Sequence, residues 1–316
     1  VNTVQGISGE PTRLPCETDS EVNPMTLEAA LGQMLSGISL GMVWFLIAAG
    51  LSIIFGTLKV LNLAHGSIYM LGGFLCYHIT STLSPTPGVF WIALIVAPLL
   101  TATVGGFVEV LLLRRIYGQD MIYQYILTFG LILIIGEVCK LVWGVGYNTV
   151  AAPWPFQDAV SLFGLAFPRY NLFLIGMGIL VFVGLRALIG ATGLGGIIRA
   201  VTHNREVASA LGINVPVVYT GVFMLGCWLA GLAGALMPPM SVVALGADLS
   251  VIIDCFIIVV IGGLGSLPGA FLGAIILGLT TAFGLYIIPK LAVAFGFILM
   301  IIVLIIRPWG LMGEPD

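Results

Sequence analysis

Stretches of about twenty apolar residues, nearly free of charge, recur along this 316-residue chain and constrain what it can fold into. A helix that crosses the hydrocarbon core of a bilayer takes about 20 such residues. Nine runs meet or approach that length: 32–56, 61–80, 88–113, 121–144, 170–189, 218–240, 250–264, 267–287 and 290–306. Charged residues make up 8% of the chain and apolar ones 59%, against roughly 25% charged in an ordinary soluble domain. Too little charge remains to coat a water-soluble globule, which excludes the soluble enzymes. The net charge of −3 argues against nucleic acid as a partner. The expected fold is all-α, a polytopic transmembrane helix bundle of eight or nine spans. The count turns on 250–264, which is short and ends in Gly262-Gly263-Leu264-Gly265-Ser266-Leu267-Pro268-Gly269. That run reads as a broken or re-entrant helix, tolerated in a membrane only where protein or a water cavity covers the backbone.

Residues 1–24 are polar and rich in Pro, Glu, Ser and Thr. They are expected to be a disordered extension, with Met25 as the native start and 25–313 as the membrane domain. No basic segment precedes an apolar core there, as a signal peptide would require. Cys16, Cys76, Cys139, Cys227 and Cys255 are odd in number and lack metal-ligand spacing, so they read as small buried hydrophobes. Basic residues set orientation, with the excess on the cytoplasmic side. With the amino terminus outside and the carboxyl terminus inside, Lys59, Arg114, Arg115, Arg186, Arg199, Arg205 and Arg307 fall inside. Arg13, Lys140, Arg169 and Lys290 then fall outside.

Chemistry-bearing motifs are scarce. There is no Gly-Lys pair, hence no phosphate-cradling loop of the G-x-x-x-x-G-K-[ST] type, and no H-E-x-x-H. No cofactor or metal is expected on this chain. Few charges lie deep in the spans. Glu137 and Lys140 are three apart and read as a local ion pair. Glu109, near the end of its span, reads as reaching the headgroups. Asp254 reads as interfacial. The lack of an ionisable relay at mid-membrane argues against a proton-driven carrier.

The loop 190–217 is the most informative stretch. Asn204 is placed to cap a helix whose first turn carries Glu206, favourable at the positive end of the helix dipole. Gly212 supplies a left-handed stop and Pro216 prevents resumption. The helix between, Arg205 to Leu211, is about two turns and exposes Val207 and Leu211 at i, i+4. So short a helix is marginal alone. Its partner is either the membrane interface or a cytoplasmic protein with a groove for it.

Glu206-Val207-Ala208-Ser209-Ala210-Leu211-Gly212 resembles the EAA-type loop of ABC-importer permeases, with Val207 where the simplest pattern has alanine. Three further stretches extend the likeness: Gly50 to Ser67, Val259 to Ala270, and Arg307-Pro308-Trp309-Gly310-Leu311. Taken in order over about residues 30–313, they resemble the branched-chain amino acid permease family of the LivH type. The resemblance implies a second, LivM-type permease as partner. It also implies two ABC ATPase subunits at the cytoplasmic face, which carry the ATP and Mg, and a periplasmic or lipid-anchored substrate-binding protein. The place would be the inner membrane of a bacterium or archaeon. Residues 204–212 would be the coupling helix. The substrate stays open among branched-chain amino acids, urea, amides and aromatic acids. A self-contained secondary transporter or channel is the alternative.

Two other segments are candidates for the translocation path or gate. Asn62, His65, Gly66 and Ser67 place polar groups in apolar surroundings, where they need hydrogen-bond partners; they line an inner gate or cap two helices. Gly262, Gly263, Gly265 and Ser266 pose the same choice. Gly226, Ala230 and Gly234 form a small-residue face suited to helix packing or to a permease–permease contact. The loop 145–169 carries Tyr147, Trp154, Phe156, Phe163 and Phe167. These aromatics read as an interfacial belt or as a docking surface for the binding protein.

Overall fold

The apolar runs fold as helices close to where the sequence places them. A computed structural model describes residues 27–83, 88–162 and 165–313; the expectations for residues 1–24, for Cys16 and for Phe163 lie outside them. In chain order the helices are α1 (Leu27–Leu58), α2 (His65–Thr82), α3 (Val89–Leu111), α4 (Met121–Trp143), α5 (Arg169–Ala191), α6 (Gly193–His203), α7 (Arg205–Ala210), α8 (Val215–Leu236), α9 (Ala247–Gly262), α10 (Leu267–Ile287) and α11 (Ala292–Ile306). A small antiparallel hairpin, β1 (Ala159–Leu162) and β2 (Leu165–Pro168), precedes α5.

The fold is therefore an α-helical, multi-pass bundle. Among the described residues, six helices are long and apolar enough to cross a membrane: α1, α3, α4, α5, α8 and α10. The other three expected spans are helices too, but they fall short of that standard. α2 has 18 residues and carries His65, Ser67, His78, Thr80 and Ser81, while α9 has 16 residues and α11 has 15. At 1.5 Å per residue, α9 and α11 are about 24 and 22 Å long, less than a hydrocarbon core of about 30 Å. α9 is continuous rather than broken; the chain turns after it, at Gly263.

α1 occupies the centre and packs against α10, α8, α5 and α9. Phe45, Leu46, Ile47, Leu51 and Ile54 are fully buried there. Lipid offers no hydrophobic drive for helix association, so close backbone packing must supply it. Glycine provides the room. A methyl group at Gly37, Gly41, Gly50 or Gly72 would lie within 3.0 Å of a backbone oxygen on the facing helix. The small-residue face of α8 belongs to this packing: Gly226 meets Gly50 and Ile54, and Gly234 meets Tyr69 and Gly73. It is thus spent inside the chain and is not a surface for a second permease. Phe45, Phe182 and Phe271 add an aromatic cluster, with centroids 4.3–5.9 Å apart. Cys76, Cys139, Cys227 and Cys255 are buried and unpaired.

Candidate functional site

The loop after α5 folds as two helices joined by one residue. α6 opens at Thr192, whose hydroxyl accepts from the Gly195 amide at 3.4 Å. It closes at Asn204, which leaves the helix with an extended backbone while its amide still donates to the Ala200 carbonyl. The Asn204 side chain then starts α7, its Oδ1 accepting from the amides of Glu206 and Val207 at 3.0 Å each. Two of the four free amides of a helix start are satisfied this way. At the other end Gly212 adopts φ +84°. Its amide bonds the Ser209 carbonyl at 3.0 Å, and the Ile213 amide bonds the Ala208 carbonyl at 3.1 Å. This paired pattern closes a helix through a left-handed residue.

α7 is thus a fully capped helix of six residues. Only Ala208 is buried among Asn204–Gly212. Val207 and Leu211 stand 54% and 76% exposed, an apolar stripe turned outward. Arg205, Glu206, Ser209, Ala210 and Val215 border an adjoining shallow concavity of about 590 Å³. α7 is legible in the sequence and α6 is not, because its glycine-rich start hides an apolar face at Ile197, Ile198 and Val201. The hydroxyl at Thr192 was the available signal.

The Asn62–Ser67 segment is deeper than the sequence suggested. His65 Nε2 donates to the Ile47 carbonyl at 3.1 Å. Ile47 precedes the end of α1 by eleven residues, about 16 Å of helix. Residues 59–64 therefore run back alongside α1 instead of joining two spans at the membrane surface, and α2 begins within the bundle. Asn62, His65 and Ser67 are all buried. Asn62 Oδ1 and His65 Nδ1 lack a hydrogen-bond partner among the described residues. Ser67 donates to Asp248 Oδ2 at 2.8 Å, and a side chain at Gly66 would collide with the Asp248 carbonyl. Asp248, in the first turn of α9, was not singled out from sequence. Its carboxylate lies at that helix start and accepts from the Ser67 hydroxyl.

The second expected path segment lies elsewhere. Gly262 abuts Gly269, and Gly265 abuts Gly56 of α1. Gly263, at φ +102°, packs on Gly310 and Gly313, while the amides of Leu311 and Met312 bond the carbonyls of Ile261 and Gly262 at 2.8 and 3.0 Å. Ser266 caps α10 through the Gly269 amide at 3.2 Å. Gly262 and Gly263, with Ile261, form a backbone clasp for residues 310–313, while Gly265 packs on α1 and Ser266 serves α10. Asp248 and Gly262 are fourteen residues apart on α9, about 21 Å, so the two candidate segments sit at opposite ends of that helix and do not form one lining.

Glu109 does not reach the headgroups. Its side chain is fully buried and paired with Arg114 at 3.1 Å, because Arg114 and Thr220 meet it between α3 and α8. Burial, with the Glu109 carboxylate beside it, pushes the Tyr117 phenol above its ordinary range. Glu137 and Lys140 form the expected exposed ion pair at 3.1 Å. Asp254 is half-buried in the third turn of α9.

At the end of the bundle away from α7, the aromatic loop divides. Phe167 is buried, and Phe156 packs at a tilt on Phe173 and edge-on to Trp91. Tyr147 and Trp154 stay exposed. A cavity of about 390 Å³ opens there beside Tyr77, Thr80, Phe90, Pro153 and Trp154. Among the described residues, no three His, Cys, Asp or Glu side chains converge as a metal site would need.

A bundle of glycine-packed apolar helices, six of them long enough to cross a membrane among the described residues, with an exposed, capped helix on one loop, has the form of a multi-pass membrane protein. The chain belongs to the family described as branched-chain amino acid transport system / permease component, which matches residues 33–304. It is 28% identical to the high-affinity branched-chain amino acid transport system permease protein BraD of Pseudomonas aeruginosa, over 90% of this chain and 96% of that one. It is 27% identical to the permease proteins named LivH of Salmonella typhimurium and Escherichia coli, with the same coverage. No solved structure matches. The family is one of transport subunits, not enzymes.

Proposed function

We propose that this chain is one permease of an ABC importer for branched-chain amino acids or related small amino acids and amides. The observation that carries the reading is α7: a helix of six residues capped at both ends, with Val207 and Leu211 turned outward. Folding alone gives such a helix no reason to expose its apolar stripe. A groove on an ATPase subunit supplies the missing surface. The chain forms the translocation path with a second, LivM-type permease, over two ATPases that hold ATP and Mg. A periplasmic or lipid-anchored binding protein delivers substrate at the Trp154 end.

The α7 end is cytoplasmic, which places the amino terminus outside and the carboxyl terminus inside. The excess of Lys and Arg on the loops of that end supports this orientation. Nine helices then enter the bilayer, with α2, α9 and α11 as partial crossings. Buried Asn62 and His65, each with an unpartnered polar atom, are candidates for a gate that opens in another conformation of the cycle.

The test is to purify the chain with its neighbouring subunits and measure ATP hydrolysis with and without binding protein and substrate. Substrate-stimulated hydrolysis is expected. Glu206→Lys reverses the charge at the helix start and is expected to abolish uptake while the subunit still inserts. Unchanged uptake in that variant removes α7 from the mechanism.

A further inference from the structure

A fully buried carboxylate at the end of a membrane helix has to be held by partners. Around Glu109 there are three. Thr220 donates to Oε2 at 2.7 Å. Arg114 donates from Nη2 to Oε2 at 3.1 Å and from Nε to Oε1 at 3.4 Å. Tyr117 donates to Oε1 at 3.2 Å. Arg114 also reaches the Thr220 hydroxyl and the Pro216 carbonyl. The Tyr117 ring stands edge-on to Tyr219, with centroids 5.6 Å apart. Glu109, Arg114 and Tyr117 come from the end of α3 and the turn after it. Pro216, Tyr219 and Thr220 are in the first two turns of α8. The network therefore ties α3 to α8 at the point where the α6–α7 loop re-enters the bundle, since only 211–214 separate α7 from α8.

Nothing about helix packing requires charge at this seam. Higher up, α3 and α8 meet through Gly105 on Cys227 and Gly106 on Met224, contacts that resist compression but allow sliding. Charge-assisted hydrogen bonds in a low-dielectric site are directional and stiff. We propose that Glu109 is the joint that passes displacement of α7 into the bundle, acting with Arg114, Tyr117 and Thr220 to make the start of α8 and the end of α3 move as one body. Glu109 is a positioning residue in this role and touches neither nucleotide nor substrate. The proposal rests on α7 being the ATPase-facing lever.

The experiment uses the whole importer reconstituted in vesicles, with three readouts on each preparation: ATPase subunits retained, ATP hydrolysed, and radiolabelled leucine taken up. Glu109→Gln keeps the size and removes the charge. The joint predicts that it retains the ATPases and at least half the hydrolysis, while leucine moved per ATP falls about tenfold. Thr220→Val should lower that ratio severalfold, and Thr220→Ser should restore it. A merely structural role predicts that all three readouts fall together with the ratio unchanged, and that result overturns the proposal. If Glu109→Gln fails to insert, the Thr220 pair decides alone: an unchanged ratio in Thr220→Val overturns the joint. An unchanged ratio in the Glu109 and Thr220 variants with uptake lost in Glu206→Lys rejects the joint and keeps the lever. Unchanged uptake in all of them, Glu206→Lys included, rejects the lever and the joint together.

Discussion

At the scale of single residues, Asn204 matters more than its size suggests. It ends one helix with its amide and starts the next with its side chain. Replacing an asparagine cap by alanine costs about 1 kcal/mol, and a helix as short as α7 has little else to hold it. Asn204→Ala is expected to lower uptake severalfold without changing the amount of protein in the membrane. Asn204→Asp, which caps equally well and adds a favourable charge at the helix start, is expected to keep uptake. Vesicle uptake against quantitative immunoblot of the membrane fraction checks both. Gly212 was legible from sequence for a related reason: a glycine after an alanine-rich run and before a proline marks a left-handed stop. Glu109 was not legible. Its Thr220 partner is 111 residues away, and no local pattern shows that pairing.

At the scale of elements, helix boundaries followed the apolar runs because lipid demands internally satisfied backbone; 267–287 is α10 to the residue. What the sequence concealed was depth. A polar segment between two apolar runs looks like a surface loop, yet Asn62–Ser67 lies inside the bundle, because residues 59–64 double back along α1. Glycine was ambiguous in the same way: composition says that helices approach closely, but not which ones. The structure separates glycines that face backbone from those that face open space. Gly41→Val would drive a branched side chain into the Ala274 carbonyl and force α1 from α10. Overpacking of this kind costs about 1–3 kcal/mol, read as a lower thermal unfolding midpoint in detergent. Gly130 of α4 has nothing near it, so Gly130→Ala is expected to leave the midpoint unchanged or raise it slightly.

Across the whole molecule, the candidate features divide between the two ends of the bundle. One end carries α7, the Glu109 network and the clasp on residues 310–313. The other carries the β-hairpin, the exposed Trp154 and the cavity beside it. Between them the glycine-packed centre joins the two. α4 and α5 present apolar faces outward, including Ile126, Phe129, Leu133, Leu180 and Val183, surfaces fit for lipid or for a second permease. The central claim is that the α7 end meets an ATP-hydrolysing subunit. Its most direct test is a photoreactive amino acid at Leu211, irradiated in membranes that contain the whole transport system. The account predicts one dominant adduct, between this chain and the ATPase subunit. An adduct with lipid alone, or with a protein on the external face, would contradict it.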